Sequence, residues 1–209
     1  MKIDYTLYLV TDSHIVNRQE LYKRVEQAIL GGCTMVQLRE KDISSLDFYR
    51  QALELKQITE KYRVPLIIND RVDIALAVKA AGVHIGQNAI PVSVVKDIIG
   101  RNMLLGVSVT SLNEAEQAVK DGANYLGVGA IFPTKTKKDA VLVPMGELKK
   151  IRQTIKLPIV VIGGINKENA KIFAAMGIDG LAVISAIIAQ PDSREAALEI
   201  REEFGKSKL

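Results

Sequence analysis

Short apolar runs of β type alternate with longer amphipathic stretches of helical type from one end of this 209-residue chain to the other, and no linker or low-complexity segment breaks the alternation. A strand that is followed each time by a helix returns to its sheet in the same direction, so the pattern predicts parallel strands with helical crossovers. Candidate strands cover 6–12, 35–41, 65–70, 82–87, 104–109, 125–131, 158–164 and 180–185, and candidate helices 20–30, 46–62, 72–79, 92–99, 111–120, 146–155, 167–176 and 193–204. Ser111 with Glu114 three residues on reads as a helix cap, and Gly31, Gly122 and Gly177 read as helix ends. Each strand is near-continuously apolar, as expected where both faces of a sheet are covered. Eight such units predict an α/β fold, a TIM (β/α)8 barrel forming a single domain over residues 1–209. A doubly wound open sheet would place a glycine-rich phosphate turn after its first strand, where this chain reads V-T-D-S-H-I.

With 48% hydrophobic residues the chain can bury one sizeable core. A formal charge of +4, spread without a long basic run, argues for an anionic small ligand rather than nucleic acid. The single cysteine, Cys33, excludes an internal disulfide and reads as a small buried hydrophobe in a reducing compartment. No secretory signal and no bilayer-length apolar run is apparent, so a cytoplasmic protein without a membrane partner is expected.

In a barrel the C-terminal ends of all strands meet at one face, so the strand ends are where chemistry is expected. The second strand ends in Gln37-Leu38-Arg39-Glu40-Lys41, read here as a substrate-binding run. Alternation would aim Gln37, Arg39 and Lys41 at the barrel mouth and Leu38 and Glu40 away from it. Guanidinium and ammonium together suit a diphosphate. The third strand ends in Asn69-Asp70-Arg71, where Asp70 either pairs with a rim cation or holds a divalent metal, while Asp73 suits the first turn of the next helix. His84 reads as a hydrogen-bonded strand histidine and His14 as a loop residue, and neither Ser108 nor Ser185 has an evident activating base. The sixth strand runs into V-G-A-I-F-P-T-K-T-K-K-D-A, whose Thr134, Lys135, Thr136 and Lys137 form a loop of donors for an oxyanion. Gly163-Gly164 and Ile184-Ser185, after strands seven and eight, match the phosphate site common in barrels. One diphosphate site and one monophosphate site suggest group transfer between two small phosphorylated substrates.

The motifs Q-L-R-E-K, I-I-N-D-R, G-V-H-I-G-Q, G-A-I-F-P-T-K-T-K-K-D-A, I-G-G-I and A-V-I-S-A closely resemble those of the thiamine phosphate synthase family, over nearly the whole chain. The resemblance implies an Mg²⁺-dependent enzyme that joins an aminopyrimidine methyl diphosphate to a thiazole ethyl phosphate. By the family's pattern Gln37, Arg39, Lys41, Asn69, Ser108 and Lys137 hold the pyrimidine diphosphate. Thr134, Thr136, Gly164, Ile184 and Ser185 hold the thiazole phosphate, and Asp70 is a metal ligand. The implied chemistry is dissociative, with Arg39, Lys41, Lys137 and Ser108 as the catalytic set. One position departs from the family: a second metal-binding aspartate is replaced by Ala89, with Pro91 keeping the register. A related group of thiazole tautomerases uses a histidine where this chain has Thr110, and a non-catalytic binder of thiamine precursors is the remaining alternative.

Overall fold

The computed structural model describes residues 3–134, 136 and 140–206. In chain order its elements are β1 (Leu7–Val10), α1 (Arg18–Leu30), β2 (Met35–Leu38), α2 (Ser45–Lys61), β3 (Leu66–Asn69), α3 (Val72–Ala77), β4 (Gly82–Ile85), α4 (Val92–Ile99) and β5 (Leu104–Val109). There follow α5 (Leu112–Lys120), β6 (Tyr125–Val128), α6 (Met145–Thr154), β7 (Ile159–Ile162), α7 (Ala170–Ala175), β8 (Gly180–Val183), α8 (Ser185–Ile188) and α9 (Ser193–Gly205). Every strand pairs in parallel with the next, and β8 returns to β1 through Leu7↔Leu181, Tyr8↔Ala182 and Leu9↔Val183. The sheet is therefore closed, as the alternation predicted.

Why the strands read as continuous apolar runs is visible in two separate cores. Side chains pointing inward, among them Tyr8, Val10, Met35, Ile67, Tyr125, Val160 and Ala182, fill the barrel. Those pointing outward, such as Leu7, Leu9, Val36, Leu38, Ile68, Val83, Val107 and Val161, pack under the ring of helices. Successive residues face opposite sides of a strand, so closure with an outer helical layer buries both sets. Cys33 is buried in the outer core, and burial pushes its thiol pKa up, as suits a packing residue.

Local chemistry sets the ends of the elements. Asn17, Ser44 and Asp192 cap α1, α2 and α9 by accepting backbone N–H groups of the first turn. At α5, Ser111 accepts from Glu114 N at 3.3 Å, but the Glu114 carboxylate reaches past it to the Thr110 N–H at 2.6 Å, so the expected reciprocal box is displaced by one residue. Gly122 and Gly177 close their helices at φ 96° and 70°, whereas after α1 the left-handed residue is Gly32 at φ 103° rather than Gly31. β5 spans the expected 104–109, and the other strands are shorter than the apolar runs suggested. β2 stops at Leu38 because the next amide, Arg39 N–H, donates to Thr11 Oγ1 at 3.0 Å instead of continuing the ladder. α7 begins at Ala170 rather than near Lys167, because the Asn166 side chain takes the N–H groups of Glu168 and Asn169 and holds a separate turn. The short α8 was not separable by sequence from the apolar run that precedes it.

The interior contains two glycines that exist for space. A Cβ on Gly106 would stand 2.2 Å from Tyr125 Cζ and 2.4 Å from His84 Nδ1, and one on Gly127 would stand 3.0 Å from His84 Cε1. Gly106→Ala is expected to lower unfolding stability by about 1–3 kcal/mol, the usual cost of overpacking an interior. Gly146→Ala, in α6 with open space around it, is expected to raise stability by about 0.5–1 kcal/mol. Urea midpoints of the two variants against the parent check the opposite signs.

Candidate active site

The C-terminal rim of the barrel gathers most of the residues expected there. Gln37 lies inside, 4% exposed, and its Nε2 donates to Tyr8 Oη at 2.7 Å. Leu38 faces the helical layer, as alternation requires. Beyond it the chain has left the strand, so Arg39 and Lys41 are placed by the β2–α2 loop rather than by strand alternation. Arg39 is half-buried and Lys41 exposed, and among the described residues neither cation is paired with a carboxylate. Glu40 turns the other way: it is buried, and its Oε2 accepts the Ser13 hydroxyl at 2.5 Å. Burial, with Asp12 nearby, raises the pKa of its carboxyl. The loop carrying the two cations is thus anchored from behind by its own glutamate.

At the end of β3, Asn69 Nδ2 donates to Asp70 Oδ2 at 2.7 Å, and among the described residues Asp70 Oδ1 receives only a long 3.4 Å contact from the Gly86 N–H. Asp70 adopts φ 59°, an uncommon conformation for a residue with a Cβ, and its N–H is held by His84 O at 2.8 Å. Of the two roles foreseen for Asp70, pairing with a rim cation does not occur among the described residues. Asp73 takes the helix-start role, tied to Arg71 at 2.8 Å and 2.5 Å. Ala89 is half-buried and lines a cavity of about 180 Å³ between α4 and α5.

The β6–α6 loop folds over the glycine pair after β7. Gly163 and Gly164 have φ 100° and 63°, and a Cβ on Gly164 would meet Phe132 Cβ at 2.7 Å and Pro133 O at 2.8 Å. The doublet therefore serves a left-handed turn and the close approach of the next loop. Thr134 and Thr136 join their hydroxyls at 2.9 Å on that loop, while Lys135, Lys137 and Lys138 lie outside the described residues. Ile184 and Ser185 stand at the start of α8.

What sequence reasoning missed is the interior beneath this rim. His84 Nε2 lies 2.9 Å from Ser108 Oγ, His84 Nδ1 lies 3.0 Å from Tyr125 Oη, and Tyr125 Oη lies 2.9 Å from Tyr8 Oη. Burial lowers the His84 pKa to about 4, leaving the ring neutral at physiological pH, and raises both tyrosines. The strand-histidine reading holds, but the expectation that Ser108 stands apart from any base does not, because the pairing of β4 with β5 brings the imidazole to its hydroxyl. Tyr8 and Tyr125 sat unremarked in apolar strands; polar rings at inward positions opposite Gly106 and Gly127 were the signal available. His14 is an exposed loop residue, 3.8 Å from Asp42. No helix among the described residues is long and apolar enough to cross a membrane.

A sequence profile of the thiamine monophosphate synthase family matches residues 7–187. A thiamine-phosphate synthase of Clostridium beijerinckii is 59% identical over 205 residues, covering 98% of this chain and 98% of the relative. A second, from Clostridium botulinum strain Eklund 17B, is 57% identical over 98% of this chain and 96% of its own length. Among solved structures, the thiamine phosphate pyrophosphorylase of Pyrococcus furiosus superposes with a TM-score of 0.90 at 38% identity, covering 99% of this chain and 98% of that one.

The neutral state of His84 has a measurable consequence for stability. Its pKa is depressed in the folded protein, so the unfolded chain binds the extra proton between about pH 6.5 and about 4. The stability it supports is intact above pH 6.5 and declines as pH falls toward 4. Relative to His84→Gln, the parent is expected to lose up to about 3 kcal/mol of unfolding free energy over that window. Glu40, whose pKa is raised, acts in the opposite direction in both proteins and cancels in the comparison. Urea titrations of both proteins from pH 7.5 to 4 check it.

Proposed function

The chain belongs to the thiamine monophosphate synthase family and is a transferase that forms thiamine phosphate from two small phosphorylated substrates; we propose that it does so by letting the pyrimidine's diphosphate leave before the thiazole nitrogen attacks. The methylene C–O bond breaks with its electron pair going to the diphosphate, and the thiazole nitrogen lone pair then forms the new C–N bond to the resulting pyrimidine methyl cation. Neither step requires a protein base. The observation that supports this reading is the pair of rim cations, Arg39 and Lys41, left without carboxylate partners among the described residues above an interior whose histidine is neutral. Such cations can stabilise charge as it develops on the departing diphosphate.

In this reading Gln37, Asn69 and Ser108 orient the pyrimidine diphosphate, with Lys137 joining Arg39 and Lys41 on the leaving group. Leu38 backs the rim from the outer core and Glu40 anchors it, so neither is assigned a direct ligand contact. Thr134, Lys135, Thr136, Gly164, Ile184 and Ser185 surround the thiazole phosphate. Orientation of two bound partners lowers the barrier further by removing translational freedom. We place the protein in the cytoplasm.

Mg²⁺ suits this mouth as an ion carried in with the diphosphate. Among the described residues there is no cluster of three or more His, Cys, Asp or Glu, but Mg²⁺ commonly binds through one or two carboxylates plus substrate phosphates and water. Asp70, whose Oδ1 has only the 3.4 Å Gly86 contact among the described residues, is the carboxylate that would hold it. When bound, the ion adds positive charge beside the diphosphate oxygens. The tautomerase alternative is disfavoured because Thr110, in the position of the required histidine, has both its N–H and its hydroxyl on Glu114 Oε2.

Incubation of the purified protein with both precursors and Mg²⁺ is expected to yield thiamine phosphate and pyrophosphate; binding of both without product would favour the non-catalytic reading. In a Mg²⁺ titration of the same assay, Asp70→Asn is expected to raise the half-maximal concentration steeply and Ala89→Asp to lower it. Arg39→Ala is expected to reduce turnover by roughly 10²–10³-fold, the cost of removing one charge-stabilising donor, with little change in KM for the thiazole phosphate. Equal losses toward both substrates would count against the leaving-group assignment.

A further inference from the structure

Five side chains from five strands form one continuous hydrogen-bonded line across the barrel interior. Gln37 Nε2 donates to Tyr8 Oη at 2.7 Å, Tyr8 Oη meets Tyr125 Oη at 2.9 Å, Tyr125 Oη meets His84 Nδ1 at 3.0 Å, and His84 Nε2 meets Ser108 Oγ at 2.9 Å. Tyr8 and Tyr125 are 1% and 0% exposed. We infer that Tyr8, Tyr125 and His84 form a one-directional relay that holds His84 as its Nε2–H tautomer and leaves the Ser108 hydroxyl proton free to donate to a ligand at the barrel mouth.

The direction follows from proton counting. Tyr8 Oη has two hydrogen-bond partners among the described residues, and Gln37 occupies one of them as a donor. The Tyr8 proton can therefore go only to Tyr125. Tyr125 Oη, already accepting, must spend its own proton on His84 Nδ1, which requires a lone pair there. A neutral imidazole with its lone pair on Nδ1 carries its proton on Nε2, and that N–H is directed at Ser108 Oγ. Ser108 then accepts from below, and its own proton is left for the mouth. In the reverse direction Tyr8 would accept twice and its proton would be buried without an acceptor, which is costly. Gly106 and Gly127 clear the space in which the His84 and Tyr125 rings approach each other.

This relay deepens the synthase reading and rests on it for its kinetic consequence: Ser108 would meet the pyrimidine as a donor, with Tyr8, Tyr125 and His84 as positioning residues that never touch substrate. The tautomer itself is independent of activity. With only two histidines in the chain, ¹⁵N imidazole spectra can be assigned using His14→Gln. The parent is expected to show a protonated Nε2 and an unprotonated Nδ1 for His84, and an Nδ1–H signal would overturn the inference. Tyr125→Phe removes the donor to Nδ1, so a mixture of tautomers is expected together with about a 10-fold loss in kcat/KM for the diphosphate, as for one lost hydrogen bond. An unchanged spectrum in that variant would also overturn it. Should Tyr125→Phe not fold, the parent spectrum alone decides the point, because the relay permits only the Nε2–H tautomer there. A parent with the expected tautomer but no turnover would refute the synthase reading alone.

Discussion

Everything in this protein depends on the closure of a parallel sheet. The pairing of β8 with β1 leaves no free strand edge, and because all strands run the same way their C-terminal ends form a single rim. At the seam Gly180 comes so near the Tyr5 carbonyl oxygen that a Cβ would lie 1.7 Å from it, so the joint admits no side chain. Closure also creates the division between an inner and an outer core. The outer one is mainly apolar and fastens the helices; the inner one combines apolar side chains with a polar line.

That polar line is affordable only because each member has a partner. A buried phenol or imidazole without one would be destabilising by several times the worth of the bond it forms when satisfied. Here the rings of Tyr125 and His84, centroids 5.4 Å apart, fill volume that Gly106 and Gly127 vacate, and their polar atoms satisfy one another. Lys41 is exposed and Arg39 half-buried, and with no carboxylate partner among the described residues both stay available to an anion. A neutral, hydrogen-bonded floor beneath a cationic rim suits chemistry in which a diphosphate departs and no proton need move.

Much of the candidate site was legible because strand ends carry it. The Q-L-R-E-K run, Asn69-Asp70 and the glycine pair could all be read as strand-end residues once a barrel was expected, and the structure puts them at the C-terminal ends of β2, β3 and β7, with Leu38 turned to the helical layer and Glu40 buried behind the loop. Strand alternation does not govern Arg39 and Lys41, since β2 ends at Leu38 and the loop that carries them is held through Glu40 and Thr11. A strand's apolar pattern does not reveal where its ladder stops. The stopping point depends on which neighbour captures the next amide.

By itself the sequence determined the order of the strands and of every helix but the short α8, the parallel closed sheet and the chemical character of the rim. Those properties follow from hydrophobic periodicity and residue type, which act within one segment at a time. Only the tertiary structure decided that Tyr8, Gln37, His84, Ser108 and Tyr125 share one hydrogen-bonded line, that Asp70 accepts from Asn69, and that Gly106 and Gly127 are spacers. Those contacts join residues up to 117 positions apart, and their geometry arises from the register of paired strands around the closed barrel, a quantity no local pattern carries.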